Sequence, residues 1–346
     1  MTSEAPGLAA GVALLFERPA AAETRIAGVA SAARALADAR ERGASEIWFA
    51  MESGPPSEAL SDDLVRAARA IPLHIVDPSR IDRPGLPLIR YDAPWPVTTA
   101  QVLKGTAKAS DGIVSRLFNR PLSQRLSALL LRIPGIRPGH VTIVTAALGL
   151  IMFLAFLFEG KTGLVLGGLL FHVASVVDGV DGEIARATFR ESRSGAALDT
   201  AVDMATNLLF YLGVTLSTTR LYGPLHAWAG GWCVLLGLIG ILIVRTLAAK
   251  SGEPGSFDIL KVHYRRRYPD GIPARIVEWL VAITSRDFFA FGNALIILAG
   301  GGAAVSFLLA GFTTLWVALI LIAAPAILRE HEAPADRAPV GLTAAE

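Results

Sequence analysis

The sequence predicts an α-helical integral membrane protein with six transmembrane helices, preceded by an interfacial amphipathic helix and an N-terminal soluble α/β domain. Hydrophobic residues make up 53% of the 346 positions, and the mean hydropathy is +0.50, which is high for a soluble protein. Apolar segments of about membrane-spanning length lie between residues 141 and 328. Charged residues concentrate in the first 140 positions and in 246–287.

The predicted soluble domain, residues 1–97, alternates short apolar runs with helical patterns. The runs are GVALLF at 11–16, EIWFAM at 46–51 and LHIV at 73–76, and the helical patterns cover about 24–42 and 58–70. This alternation is typical of βαβ units around a parallel sheet. The Pro-rich segment 80–110 predicts a linker or a last edge strand.

The stretch RIAGVASAARALADARERGASEIWFA resembles the helix and strand that follow the nucleotide loop in sugar-nucleotidyltransferases. Those enzymes carry a Gly-rich loop directly after the first strand, where backbone N–H groups hold phosphates. Here GVALLF is followed by ERPAAAET, and LAAG at 8–11 precedes the strand. We therefore expect a degenerate or regulatory domain.

Residues 98–140 predict a linker followed by an interfacial amphipathic helix. The apolar face of the helix holds Ile113, Leu117, Leu126 and Leu130, and the opposite face holds Arg116, Arg120 and Arg125. Such a helix lies along the membrane plane.

The predicted membrane domain, residues 141–328, contains six apolar segments. They are 141–159, 164–186, 196–218, 227–248, 286–302, which is short, and 304–328. Lys and Arg cluster before the first segment, after the second and after the fourth. The positive-inside rule therefore places both termini in the cytoplasm, and we expect residues 329–346 to form a disordered cytoplasmic tail.

Four aspartates border the second and third spans. Asp178 and Asp181 are three residues apart, and Asp199 and Asp203 are four apart, so each pair shares a helix face. Because the two spans are joined by a short turn, all four carboxylates can meet at the cytoplasmic end. An uncompensated carboxylate costs roughly 2.5–3.5 kcal/mol at the bilayer centre. Bound divalent cations remove this penalty, and oxygen ligands suit Mg²⁺, Mn²⁺ or Ca²⁺.

The residues between the aspartates suit phosphate chemistry. Gly182, Ala185 and Gly195 remove side-chain bulk where a ligand approaches, and Arg186 offers a fork for phosphate oxygens. Two metal ions about 3.5–4 Å apart are best suited to in-line phosphoryl displacement, in which one carboxylate takes a proton.

The complete pattern is D-x-x-D-G-x-x-A-R, eight residues, then G-x-x-x-D-x-x-x-D. It resembles the signature of the CDP-alcohol phosphotransferase family, also called CDP-alcohol phosphatidyltransferases, at every defined position. The resemblance implies transfer of a substituted phosphate from a CDP-alcohol to a hydroxyl acceptor, with release of CMP. It further implies that Asp178, Asp181 and Asp199 hold metal, and that Asp203 touches metal and acts as general base. The implied cofactors are two Mg²⁺ or Mn²⁺ ions, with Ca²⁺ as an inhibitor.

A narrower resemblance involves KASDGIVSRLFNRPLS at 108–123 and SRDFF at 285–289. Both are similar to the archaeal and bacterial branch that makes di-inositol-phosphate phosphate, in which a nucleotidyltransferase-type domain precedes the membrane part. Candidate acceptor-binding residues are Arg286, Lys261, Lys104 and Lys108. Many family members have Pro-Asn before the first span, whereas this chain has Pro138-Gly139, and we expect Thr142 to contact the nucleotide.

Two other functions use similar residues. Membrane prenyltransferases also have Asp-rich helical motifs with Mg²⁺, but their motifs usually lie in separate halves of the chain. A cation transporter needs polar residues on several spans, and here the other four spans carry almost no acidic residues. We expect a homodimer in a prokaryotic cytoplasmic membrane, in contact with membrane lipid and acting on a CDP-alcohol donor and a polyol or polyol-phosphate acceptor. The net charge of +2 does not indicate a nucleic-acid partner.

Overall fold

The structure is a computed structural model that describes residues 11–83, 85–108, 111–250, 259–283 and 285–332. The chain divides into two compact units, each assembled from separate segments. The first unit contains Met1–Ala109, Arg120–Val141 and Gly179–Gly195. The second contains Ser110–Asn119, Thr142–Asp178 and Ala196–Glu346.

The first unit contains the predicted parallel sheet. Its strands are β1 (Val12–Phe16), β2 (Arg25–Ile26), β3 (Val29–Ala30), β4 (Ile47–Met51), β5 (Leu73–Ile75) and β6 (Leu88–Tyr91). The main sheet has the order β5-β4-β1-β6, and every neighbouring pair in it is parallel. All residues of β1 are buried, as expected for a central parallel strand. The three predicted strands are therefore confirmed, and the segment 80–110 contributes the predicted edge strand.

Three helices pack against one face of this sheet: α1 (Pro19–Glu23), α2 (Ser31–Glu41) and α3 (Glu58–Ala68). The alternation along β1 places Leu14 and Phe16 in this core, while Ala13 and Leu15 face a smaller core on the other side.

The helix predicted from about residue 24 begins later, at Ser31, because β2 and β3 form an antiparallel hairpin. Its turn residues, Ala27 and Gly28, have φ of 48° and 76°. Positive φ at both central positions is required by a type I′ turn, whose twist matches that of the paired strands. The sequence pattern did not predict this turn, because its first central residue is Ala27 and alanine rarely adopts positive φ.

After β6 the chain forms α4 (Thr99–Gly105), a π-helical turn (Ser115–Asn119) and α5 (Arg120–Leu130). Thr98 and Gln101 form a capping box at the start of α4: Oγ1 of Thr98 accepts from the Gln101 N–H at 3.3 Å, and Oε1 of Gln101 accepts from the Thr98 N–H at 2.8 Å. The capping box fixes where α4 begins.

The predicted polar face of the interfacial helix is wrong at one residue, Arg120. Arg116 and Arg125 are exposed, but the side chain of Arg120 is 12% exposed and pairs with a carboxylate of the same unit. The small residues Ser123 and Ser127 form the buried side of α5.

The remaining helices include those long enough to cross a membrane. They are α6 (Pro138–Leu157), α7 (Gly160–Ala187), α8 (Arg193–Tyr222), α9 (Leu225–Lys250), α10 (Ile259–Arg267), α11 (Gly271–Ile283), α12 (Arg286–Leu298) and α13 (Gly302–Glu332). Four candidate spans, namely α6, α7, α9 and residues Gly302–Arg329 of α13, have sufficient length and hydropathy. The protein is thus an integral membrane protein. The other two predicted spans coincide with α8 and α12, and residues 333–346 of the predicted tail lie outside the described residues.

The core of the second unit is formed by aromatic and aliphatic side chains from α6, α7, α8, α9, α12 and α13. Phe171 of α7 stacks on Phe210 of α8 with ring centroids 3.8 Å apart, and Phe156 of α6 meets Phe210 edge-on at 5.8 Å. These ring contacts hold α7 against α8, the two helices that carry the aspartates.

In the first unit, Arg34 of α2 connects the hairpin to the segment after α7. Its guanidinium donates to the carbonyl oxygens of Ile26 at 3.1 Å, Ala27 at 3.2 Å and Ala187, and it lies 5.0 Å from the ring centroid of Phe189. Burial lowers the pKa of Arg34 to about 10, although Asp63 opposes the shift. The group is therefore still charged at neutral pH.

Replacing Arg34 with Met should loosen residues 187–190 and the hairpin, because three carbonyl oxygens lose a charged donor. Hydrogen bonds to charged groups contribute about 1.5–3 kcal/mol, so amide protection should fall roughly ten- to hundred-fold there. Hydrogen–deuterium exchange measured by mass spectrometry tests this. Arg42→Gln, which removes an exposed charge from the end of α2, is the control. Unchanged protection in Arg34→Met would contradict the assigned role.

Candidate metal centre

Three of the four predicted aspartates meet in the second unit. Asp178 of α7 and Asp199 and Asp203 of α8 each place a carboxylate oxygen within 4.8 Å of the others. All three are half-buried. The i, i+4 spacing puts the two α8 residues on one helix face. The fourth, Asp181, lies one turn after Asp178 on α7, is 6% exposed and belongs to the first unit.

Arg286, the first residue of α12, connects two of these carboxylates. Its Nη1 lies 3.0 Å from Oδ2 of Asp178 and also pairs with Oδ1 of Asp203. Its Nε and Nη2 are buried and have no hydrogen-bond partner among the described residues. Buried donors without partners cost free energy, so acceptor oxygens placed beside these two nitrogens would be stabilising.

The donor set fits a hard divalent cation. When all three carboxylates are ionised, they outweigh one guanidinium and leave an excess of negative charge that a cation would balance. Carboxylate oxygens are the ligands that Mg²⁺, Mn²⁺ and Ca²⁺ prefer, and among the residues that the structure describes no thiol or imidazole joins this cluster.

A hydrogen-bond network fixes the start of α12. Oδ1 of Asp287 accepts from Nδ2 of Asn119 at 2.9 Å and from Oγ of Ser175 at 2.8 Å. Ser175 lies one turn before Asp178 on α7, and Asp287 directly follows Arg286. The Ser285 side chain caps α12 by accepting from the Phe288 N–H at 3.3 Å. The network therefore fixes Arg286 relative to Asp178. The sequence pattern did not predict these hydrogen bonds.

The other signature residues have local roles in the first unit. The Arg186 Nε donates to the carbonyl oxygen of Thr106 at 2.8 Å, and its guanidinium lies so close to Gly182 that an added Cβ there would be 3.0 Å from Nη1. Gly195 donates its N–H to Oγ of Ser192 at 3.0 Å, at the start of α8. Ala185 is half-buried on α7.

The predicted ligand-contacting residues outside the signature are dispersed. Thr142 is buried on α6 in the second unit. Lys104 and Lys108 are exposed in the first unit. The side chain of Lys261 lies outside the described residues.

The sequence analysis missed a buried carboxylate, Glu183, which directly follows Gly182 in the signature. Its side chain is fully buried, and Oε1 accepts from Nη1 of Arg120 at 2.9 Å and from Oγ of Ser123 at 2.6 Å. Its Oε2 accepts from Oγ of Ser127 at 2.6 Å. Thus α5 is tied to α7 by one paired and hydrogen-bonded charge. The spacing of Arg120, Ser123 and Ser127 was the available signal, since these residues share a helix face.

The sequence matches the family model described as CDP-alcohol phosphatidyltransferase over residues 136–324. A bifunctional IPC transferase and DIPP synthase from Thermococcus kodakarensis is 34% identical over 142 residues, which are 41% of this chain and 29% of that protein. A protein of the same name from Rubrobacter xylanophilus is 35% identical over 181 residues, 51% of this chain and 39% of the relative.

A CDP-diacylglycerol–serine O-phosphatidyltransferase from Mycobacterium bovis is 32% identical over 113 residues, 33% of this chain and 36% of that protein. The chain thus spans less than two-fifths of the length of each of these three relatives.

Replacing Arg120 with Met should strongly destabilise the protein, because it leaves Glu183 buried without its counter-charge. Breaking a buried ion pair costs about 3–5 kcal/mol, whereas replacing both partners with apolar residues is often close to neutral. We therefore expect Arg120→Met to lower the apparent Tm in detergent, and Arg120→Met/Glu183→Leu to recover part of the loss. Arg125→Met, on the same helix but exposed, should change Tm little. A double variant no more stable than the single one would contradict this account.

Proposed function

Because the chain belongs to the CDP-alcohol phosphatidyltransferase family, we propose that it transfers a substituted phosphate from a CDP-alcohol to the hydroxyl of an acceptor alcohol, releasing CMP. We place this reaction in phospholipid or phosphodiester biosynthesis. The observation that carries the proposal is the convergence of Asp178, Asp199 and Asp203, three signature positions from two different helices, on a space suited to a cation.

In this proposal Asp178, Asp181, Asp199 and Asp203 hold two Mg²⁺ or Mn²⁺ ions, with Ca²⁺ as an inhibitor. When bound, such ions neutralise the pyrophosphate of the donor and favour in-line displacement. The carboxylate oxygens supply a hard-ligand environment, and Arg286 limits their mutual repulsion.

Asp203 serves as the general base. Its carboxylate takes the proton of the acceptor hydroxyl as the new O–P bond forms at the β-phosphorus and the bond to CMP breaks. One feature supports this assignment. Asp203 has a side-chain exposure of 32%, against 21% for Asp178, so it is the more accessible of these two carboxylates.

Arg286 is the strongest candidate for binding an acceptor phosphate. Its Nε and Nη2 have no partner among the described residues, and guanidinium forks bind phosphate oxygens bidentately. Lys104, Lys108 and Lys261 are weaker candidates for the same task. We assign nucleotide contacts to Asp178 and to the residues Gly182, Ala185, Arg186, Gly195 and Thr142.

We further propose the membrane arrangement predicted from the sequence. The four candidate spans are joined by α8 and α12 to give six, with both termini and the active site in the cytoplasm. At a rise of about 1.5 Å per residue the 13-residue α12 is about 20 Å long, so it needs flanking residues or a locally thinner bilayer to cross. The domain limits are 1–97, 98–140, 141–328 and 329–346, and the protein functions as a homodimer.

The donor and acceptor are proposed from two kinds of relative. Names that include IPC transferase and DIPP synthase, together with KASDGIVSRLFNRPLS and SRDFF, favour CDP-inositol and inositol phosphate. The name of the mycobacterial relative refers instead to CDP-diacylglycerol. We propose a polyol or polyol-phosphate acceptor in either case.

Purified protein should release CMP from at least one member of a CDP-alcohol panel when Mg²⁺ or Mn²⁺ is present, and Asp203→Asn should reduce the rate. General-base catalysis typically contributes about 100- to 10,000-fold, which sets the expected loss. Asp77→Asn, an exposed aspartate near β5, is the matched control. Equal CMP release by Asp203→Asn and Asp77→Asn would rule out the assigned base. Metal-dependent ion flux into liposomes without CMP release would instead indicate a transporter.

Mn²⁺ binding provides a test that does not depend on turnover. Asp178→Asn should weaken Mn²⁺ binding by about ten-fold or more, since it removes a ligand from the cluster. Arg286→Gln should retain or strengthen binding, because it removes a positive charge from two of the ligands. Titration of the electron paramagnetic resonance signal of free Mn²⁺ measures both, with Asp77→Asn as control. Unchanged affinity in Asp178→Asn would place the metal elsewhere.

A further inference from the structure

A cavity of about 910 Å³ lies within the first unit. Its walls come from the β2–β3 hairpin, α3, α4, α5, residues 132–136 and the segment that follows α7. This volume is in the range of small-molecule sites, about 300–1,000 Å³. None of the eight signature positions contributes to its lining, so the cavity differs from the candidate metal centre.

Positive charge dominates the lining. Five arginines contribute to it, namely Arg25, Arg66, Arg125, Arg132 and Arg190. Two aspartates, Asp62 and Asp63, oppose them. When all are ionised, five positive charges face two negative ones, and the cavity has an excess of positive charge that an anion would balance.

Two of the five arginines pair with Asp63. Its side chain is 2% exposed, and its Oδ2 accepts from Nη1 of Arg25 at 2.7 Å and from the Ala30 N–H at 2.9 Å, while its Oδ1 pairs with Arg66. One buried carboxylate thus holds two guanidinium groups at the cavity wall. The Nε of Arg66 is buried and has no hydrogen-bond partner among the described residues.

The other three arginines have no acidic partner among the described residues. Arg190 donates from Nη1 to the carbonyl oxygen of Ile136 at 3.0 Å. Burial, followed by repulsion from Arg66 and Arg137, lowers the pKa of Arg190. A bound anion would relieve this repulsion. Arg125 and Arg132 lie on and just after α5, and both are exposed.

We propose that this cavity, the arginine pocket, binds a small phosphate-bearing anion. Guanidinium groups are the side chains best matched to phosphate oxygens, because they donate in a planar fork. Leu103, Leu131 and Ile133 supply apolar wall for the rest of the ligand. The phosphate can come from a soluble phosphate ester or from an anionic lipid headgroup, since Ile136 of the lining lies two residues before α6, a candidate membrane span, in the chain.

The pocket also involves the segment between the two halves of the signature. Thr188 and Arg190 line it, and they directly follow α7, which ends at Ala187. A ligand in the pocket therefore contacts the connection between α7 and α8. The binding itself does not depend on the proposed transferase reaction.

The test uses the full chain and two probes. In the soluble arm, glycerol phosphate is titrated by calorimetry into protein in phosphatidylcholine nanodiscs, in an Arg286→Gln background that removes the candidate acceptor site. In the lipid arm, native mass spectrometry counts phosphatidylglycerol molecules retained by detergent-solubilised protein, with phosphatidylcholine as comparison. The pocket variant is Arg125→Gln/Arg132→Gln. The control is Arg80→Gln, which changes an exposed arginine outside the pocket.

We expect one probe to bind, and the pocket variant to weaken its binding by about ten-fold or more, since charge-assisted hydrogen bonds are lost. The control should bind as the parent does, and Arg125→Lys/Arg132→Lys should be intermediate, because lysine keeps the charge without the fork. The arm that responds identifies the source of the phosphate. Failure of both probes to bind, or equal binding by pocket variant and control, overturns the proposal. Both arginines are exposed and unpaired among the described residues, and a thermal unfolding scan confirms that the variant is folded.

Discussion

The second unit depends on a balance of charge among α7, α8 and α12. Asp178, Asp199 and Asp203 converge within 4.8 Å, and carboxylates this close repel one another unless a cation lies among them. Arg286 supplies one positive charge to two of them. It is held there by the Asn119–Ser175–Asp287 network and by the cap at Ser285. The aromatic contacts of Phe171 with Phe210 also hold α7 against α8, and Phe156 of α6 packs on the same ring. Packing and electrostatics thus both act on α7 and α8.

In the first unit, charge pairing and hydrogen bonds stabilise a fully buried carboxylate. The Glu183 carboxylate accepts hydrogen bonds from one guanidinium and two hydroxyls. Nearby, Arg34 donates to the carbonyl oxygen of Ala187, and Arg69 pairs with Glu191. The α/β domain therefore contributes to holding the connection between α7 and α8, although it lacks the Gly-rich loop of nucleotidyltransferases. This structural role does not depend on nucleotide chemistry.

The sequence pattern predicted the features that depend on residues close together in the chain. The strand residues 12–16 and 47–51 are apolar throughout, and the aspartate spacings match one helix turn, so both could be read from the sequence. The pairing of Arg120 with Glu183 could not, because it joins residues 63 positions apart in the chain. The same holds for the partners of Arg286 on α7 and α8. The sequence indicated only that Arg120, Ser123 and Ser127 share a helix face. The late start of α2 was missed for a local reason, a positive φ at an alanine. The pocket lined by Arg66, Arg125 and Arg190 forms from segments far apart in sequence.

The unpartnered nitrogens of Arg286 constrain what the second unit can bind. Each buried donor left unsatisfied costs on the order of 1–3 kcal/mol, and Arg286 has two of them among the described residues. A structural ion pair does not require this cost, since lysine would supply the same positive charge from one ammonium nitrogen, without the additional donors of a guanidinium. A planar fork with spare donors beside three carboxylates is matched instead to a ligand that carries both acceptor oxygens and bound cations. A phosphate ester with divalent metal has both properties, which supports the proposed phosphoryl transfer over simple cation binding at the same aspartates.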